Sequence, residues 1–330
     1  MSLAHTRGAH TRGRPEGVKG WVKGRRMRRP RLSFWVLAAL GGWAAAAQGA
    51  GLLEAVAQGR AHLDLRARYE GVDDRVQQQA QAGTLRTRLG YATGRWQGLS
   101  AYGEFEDVRV ILGLGDYAPR RAGYATVADP PVTQLNQAYL DWTAGAGQGP
   151  RLKVRLGRQR IKLDNDRFVG NVSWRQNEQT FDALRLDAGL PGGLALSYAF
   201  LDKVNGILPQ FDADVTDHLL HLARALPVGR LAVYAYLLED DGSGASNDTY
   251  GLRLKGSRRA GRWRLPYLAE AAWQRADAGH AGYLRLEAGA GRGAWRAALA
   301  WERLGSDGGR YGLRPPWPPS TPSTAGPTSS

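Results

Sequence analysis

The chain has 330 residues and no cysteine, so neither a disulfide framework nor a thiolate metal site can hold it together. Its formal charge of +15 would suit a nucleic-acid binder, but residues 1–31 hold ten Lys/Arg against one Glu and leave only +6 for the rest. The main body is mildly basic, and no nucleic-acid partner is expected.

Arg28, Arg29 and Arg31 precede the apolar stretch Leu32 to Ala47, which closes on the small-residue runs Ala45-Ala46-Ala47 and Gln48-Gly49-Ala50. A basic flank, an apolar run and a small-residue cleavage site make a secretory signal peptide. About twenty-six residues stand in front of it, so Met27 is the expected start. Residues 1–50 read as a basic extension plus signal peptide, removed on export.

From His62 the chain alternates with period two. Leu63, Leu65, Ala67 and Tyr69 fall on one side, and Asp64, Arg66, Arg68 and Glu70 on the other. Leu85, Leu89 and Tyr91 oppose Arg86 and Arg88, and Leu152, Val154 and Leu156 oppose Arg151, Lys153 and Arg155. Leu252 and Leu254 oppose Arg253 and Lys255, Leu284 and Leu286 oppose Arg285, and Trp295, Leu299 and Trp301 oppose Arg296 and Glu302. The pattern predicts about thirteen strands of roughly 8–11 residues between residues 60 and 304.

A soluble periplasmic sandwich would alternate in the same way, with its apolar side inward. Three features favour a transmembrane antiparallel up-and-down β-barrel. Tyr69, Tyr91, Trp142 and Trp301 place aromatic rings near strand ends, as an interfacial girdle does. The strands are long enough to cross the hydrocarbon layer on a tilt, and no apolar run between Leu52 and Leu304 is long enough for a spanning helix. The expected body is 51–312, in the bacterial outer membrane, with lipid and the barrel-assembly machinery as its partners.

Connectors alternate in length. Gly145–Pro150, Leu190–Gly193 and Pro227–Arg230 are tight, whereas Ile111–Thr133, Lys162–Gln179, Asp202–Asp217 and Glu239–Asp248 are long and polar. In Lys162–Gln179, the residues Asp164, Asp166, Arg167, Arg175, Asn177 and Glu178 surround Phe168 and Trp174. So many charges and amides among aromatics predict a loop folded into the lumen, where it bonds the wall and narrows the pore. The side that carries the charges presents Arg66, Arg68, Arg86, Arg88, Arg151, Lys153, Arg155, Arg185, Arg253, Lys255, Arg285 and Arg296. Acids are somewhat fewer there, so anions should be enriched in the channel, or else the arginines pair with wall carboxylates and stiffen the barrel.

No catalytic, metal or cofactor site is expected. A barrel hydrolase, the alternative reading, needs a nucleophile beside a histidine. His62 and His280 lack a recognisable partner, and His218 and His221, three apart on a strand, point to opposite faces. No phosphate-cradling loop is present.

At Leu135–Leu140 (Leu-Asn-Gln-Ala-Tyr-Leu), Gly157–Gln159 (Gly-Arg-Gln) and Trp174–Asp182 (Trp-Arg-Gln-Asn-Glu-Gln-Thr-Phe-Asp) the chain resembles the alginate-export family of outer-membrane proteins. The resemblance spans roughly residues 60–312. It implies a monomeric barrel of about sixteen to eighteen strands, with an arginine-rich lumen that passes anionic or saccharide solutes.

After residue 312 the alternation stops. Five prolines between Pro315 and Pro322 delete ladder donors and make 313–330 a non-barrel tail. Trp317–Ser330 can be back-translated so that the neighbouring frame reads Leu-Ala-Thr-Leu-His-Ala-Phe-Asn-Gly-Trp-Ala-Asp-Lys-Phe, which resembles what the family carries after its Ser-Asp-Gly-Gly segment. The expectation is a frame change near Leu313, with the last strands of the barrel lost.

Overall fold

The computed structural model describes residues 49–145, 151–208, 211–309, 311–314 and 317. Of residues 1–50, read as a basic extension plus signal peptide, 1–48 lie outside these, as does most of the tail. A helix, α1 (Gly49–Ala57), leads into thirteen strands: β1 (Arg60–Val72), β2 (Ala80–Ala92), β3 (Leu99–Asp116), β4 (Val132–Ala144), β5 (Arg151–Gln159), β6 (Thr180–Leu190), β7 (Leu194–Asn205), β8 (Ala213–Leu226), β9 (Gly229–Glu239), β10 (Ser246–Ala260), β11 (Trp263–Ala276), β12 (Gly279–Arg292) and β13 (Trp295–Leu304). They form one antiparallel sheet in sequence order. A short hairpin, β14 (Ser306–Asp307) and β15 (Tyr311–Gly312), follows.

The period-two pattern sets the register. Leu63 lies opposite Leu89 and Asp64 opposite Arg88, so each face continues from strand to strand. Two-residue turns close β10 to β11 and β12 to β13. In the second, Gly293 (φ 60°) supplies the left-handed residue that matches the strand twist.

Burial runs opposite to that of a water-soluble protein. Leu63 and Leu65 are 60% and 61% exposed while Arg88 is 7% exposed. Apolar side chains cover the outer face and charges fill the inner one, as in a membrane barrel, which sets the soluble sandwich aside. Tyr69, Tyr91, Trp142 and Trp301 are on the outer face, all at least 40% exposed.

Most strands exceed the 8–11 residues expected from the sequence, and β3 reaches eighteen. It runs to Asp116, into the stretch read as a connector from Ile111, because pairing with β2 continues as Gln81↔Asp116 beyond the apolar stretch. Backbone pairing needs no apolar side chain, so the ladder outlasts the hydrophobic signal.

The sheet is curled. Segment 160–179, between β5 and β6, touches Arg66 of β1 and Glu302 of β13, which only a wall wrapped around it permits. Among the described residues β1 pairs with β2 alone and β13 with β12 alone, so the wall is not closed into a cylinder.

The inner space is not simply a water column between ionic walls, as the alternation predicts. Ile161, Phe168 and Val169 of the segment pack with Phe181, Leu201, Leu219, Tyr234, Tyr236 and Tyr283 of the wall in a buried apolar cluster. Leu313 and Trp317 pack against the same cluster, and Trp317 Nε1 donates to Asp217 (2.9 Å).

A candidate channel lumen and its internal segment

Three residues of the internal segment take left-handed conformations: Asp164 (φ 55°), Asp166 (φ 61°) and Val172 (φ 53°). Aspartate tolerates this region and a β-branched valine does not, so the segment's path is imposed by its anchorage.

Toward β1–β4 the anchorage is ionic. Arg66 donates to the carbonyls of Ser173 (3.0 Å), Trp174 (2.8 Å) and Arg175 (2.6 Å), and Arg68 donates to the Trp174 carbonyl as well. Gln176 Nε2 bonds Thr84 Oγ1 (2.8 Å), and its backbone N–H donates to Asp129 (2.8 Å) from the connector between β3 and β4. That connector is itself folded: Tyr117 donates to the Asp129 carbonyl (2.8 Å), and burial, with the Asp129 charge, pushes the Tyr117 phenol up to about 12.

Glu178, 2% exposed, is the hub of this side. Arg88, Arg160, Asn136 and Asn171 all reach its carboxylate at 2.5–3.1 Å. Arg88 also pairs with buried Glu106 (2.5 Å), and Arg160 with buried Glu104 (2.8 Å). Asn177 Nδ2 donates to the Ile207 carbonyl (3.0 Å). Arg175 pairs with Glu70 (3.0 Å) and stacks on Trp174, 3.9 Å from the ring centre.

Toward β8–β13 the anchorage is aromatic, with ionic contacts at Asp164 and Arg167. Phe168 lies 5.3–6.4 Å from the rings of Tyr234, Tyr236 and Tyr283. Asp164 accepts from His221 Nε2 (2.9 Å) and Arg253 (3.1 Å), and Arg253 reaches on to Glu270 (3.3 Å). Burial pushes the Asp164 carboxyl upward, but the His221 hydrogen bond and the charges of Arg253 and Arg230 outweigh it, so it lies below its ordinary value. Arg167 pairs with Glu302 (3.3 Å), and Asp166 with Lys162 (2.7 Å).

The wall arginines divide into compensated and uncompensated sets. Arg86 pairs with Asp64 (2.5 Å), Arg155 holds Asp141 through two bonds (2.7 and 2.8 Å) and lies over Tyr139, and Arg185 pairs with Asp187 (2.9 Å). Lys153 reaches Asp141 (3.1 Å), and Arg285 reaches Glu287 (3.2 Å). Arg151 and Lys255 are exposed. Counting in twos from Arg253, Glu270 and Glu302 puts Arg259, Arg264 and Arg296 on the inner face near the short turns. With Arg262 they line a recess of about 850 Å³ whose described lining holds no acid.

Sequence reasoning passed over Asp129, Arg160 and His221 as anchors, and Arg259, Arg262 and Arg264 as a cluster. The cluster was visible in the run Arg258-Arg259-Ala260-Gly261-Arg262-Trp263-Arg264. Asp129 had no signal beyond its place before two prolines. His221 and His218 do face opposite ways: His218 Nδ1 bonds the Tyr198 hydroxyl (2.8 Å). His280, read as partnerless, stacks on Trp273 and lies 3.6 Å from Asp307. No cluster of three or more metal-ligating side chains occurs among the described residues.

Gly157 explains one motif. At φ 122° it lies so close to β4 that a Cβ would stand 2.3 Å from the Ala138 carbonyl oxygen. The two residues after it are anchored to β6: Arg158 grips Asp182 through two bonds (2.8 and 3.0 Å), and Gln159 donates to the Ala183 carbonyl (3.0 Å). The Gly-Arg-Gln triplet thus permits the close approach of β5 to β4 and ties it to the Asp182 end of the second motif.

Residues 58–319 match the protein family described as alginate export. The chain belongs to the alginate-export family. Among solved structures, Pseudomonas aeruginosa OccK9 (OpdG) superposes with a TM-score of 0.57 at 16% identity, over 76% of this chain and 68% of that one. Acinetobacter baumannii OccAB3 gives 0.55 at 13%, over 75% and 68%. Pseudomonas aeruginosa OpdK with vanillate gives 0.54 at 17%, over 78% and 75%. At such identities the likeness shows the fold. No curated protein matches the chain in sequence. This alginate-export family member is thus an outer-membrane β-barrel of the channel type, placed in the bacterial outer membrane.

Proposed function

We propose that this barrel passes anionic carbohydrate solutes through an arginine-rich lumen. One observation carries the reading: Arg259 and Arg264 stand directly opposite each other across β10 and β11, and the described lining of their recess holds two further arginines and no acid. Like charges placed across a strand pair disfavour the fold, so such a pair is explained by what it attracts and not by what it stabilises. In up-and-down barrels the short turns face the periplasm, which puts this cluster at the inner mouth. A low-dielectric wall focuses its field into the channel, where anions gather and cations are depleted. The family itself, described as alginate export, fits an acidic polysaccharide as cargo.

The test is reversal potential in planar bilayers under a KCl gradient, followed by competition with galacturonate. A potential toward the chloride equilibrium value, with conductance lowered by galacturonate and not by galactose, is the expected result. Cation selectivity, or no response to galacturonate, overturns it.

A further inference from the structure

Beneath the internal segment, between it and the inner face of β5 to β9, lies a chamber of about 530 Å³. Its lining carries Arg151, Lys153, Lys162, Arg185, Arg230 and His221 against one wall acid, Asp187, which holds Arg185. Asp164 projects from the segment into the same lining, with its side chain 13% exposed, and accepts from His221 and Arg253. The segment therefore supplies a carboxylate of its own to a basic chamber.

We propose that this chamber is a binding site for the carboxylate of a sugar acid, and that the Asp164 carboxylate is a resident competitor which such a solute displaces. The proposal rests on the anionic-carbohydrate reading above and adds to it a location and a consequence.

Two observations support displacement over a fixed structural pair. Arg230, whose charge bears on Asp164, has no carboxylate within 4 Å among the described residues, so a second anion finds a cation ready for it. The exchange is also conservative, since one carboxylate leaves the donors of His221 and Arg253 as another arrives, and no buried cation is left unpaired. On the β8–β13 side the segment then retains the Phe168 contacts and the Arg167–Glu302 pair, while the Glu178 hub stays in place. Occupancy of the chamber would thus loosen one end of the segment and leave the other fixed.

The absence of cysteine allows a single reporter. Asn165→Cys in the full chain, folded in detergent micelles and carrying a nitroxide, reports the mobility of the residue beside Asp164. Galacturonate is expected to mobilise the label in a saturable way, whereas galactose at equal ionic strength leaves it immobile. Adding Asp164→Asn should mobilise the label without any solute and abolish the response, and adding Arg230→Gln should raise the half-effective galacturonate concentration at least threefold. A label that stays immobile in saturating galacturonate, or that loosens equally with galactose, overturns the proposal, as does an Asp164→Asn protein indistinguishable from its parent. An anion-selective channel whose label never responds would retain the function proposed above and lose only this site.

Discussion

Arginine stands opposite arginine at three places in the wall, and their surroundings differ. Arg66↔Arg86 and Arg155↔Arg185 are compensated: segment carbonyls take Arg66, Asp64 takes Arg86, Asp141 takes Arg155, and Asp187 takes Arg185. At Arg259↔Arg264 the only side-chain bond among the described residues is the one from Arg264 to Ser257 (3.1 Å). One residue type thus serves two purposes in one wall. Where acids or carbonyls accompany it, arginine is neutralised within the wall or by the internal segment; where none do, its charge stays uncompensated, as the proposed function requires.

If that contrast is right, removing a compensated cation should destabilise the barrel, and removing an uncompensated one should not. The largest effect is expected for Arg88→Ala, which leaves Glu106 and Glu178 buried with one cation fewer. A loss of about 3–5 kcal/mol is expected, read as a lower midpoint of heat-modifiable gel migration. Phe168→Ala comes next, at about 3 kcal/mol for an aromatic ring lost from a packed site. Its loss should show as faster hydrogen exchange in residues 160–179 with the strands unchanged.

The Asp164 anchor gives a pH prediction. A carboxyl held below its ordinary 3.8 lends stability that is complete above that value and is lost as the pH falls through the lower folded value. A nitroxide at residue 165 should therefore stay immobile from neutral pH down to about pH 4 and loosen only in stronger acid, and Asp164→Asn should remove the transition. The smallest stability change belongs to Arg259→Gln. It relieves a repulsion, so stability should hold within about 0.5 kcal/mol or rise, while anion-over-cation permeability falls. A destabilised Arg259→Gln protein would break the distinction between the two sets. Selectivity in the wild type should also weaken from 0.15 M to 1 M salt, as the screening length drops from about 8 to about 3 Å.

Much of the wall was legible in the chain itself. Alternation from His62 to Glu302 is a local signal with period two, so strand number, the outward leucines and the inward Arg66, Arg86 and Arg253 follow from neighbouring residues alone. The composition of 162–179 likewise marked it as more than a surface loop. Its contacts were not readable, because Gln176 finds Thr84 across 92 residues and Arg66 finds Trp174 across 108. The apolar filling around Phe168 was hidden for a related reason: Leu219, Tyr234 and Tyr236 sit at inward positions where the pattern elsewhere places charge, and only the docked segment makes apolar groups favourable there.

By itself, then, the sequence determined which residues extend and which side of each strand meets lipid, because a strand sends successive side chains to opposite faces whatever lies beyond it. Tertiary structure alone decided which arginines are neutralised. That depends on which carboxylate the curled wall and the internal segment bring within about 3 Å, and residues so far apart along the chain meet only after the sheet has curved around them.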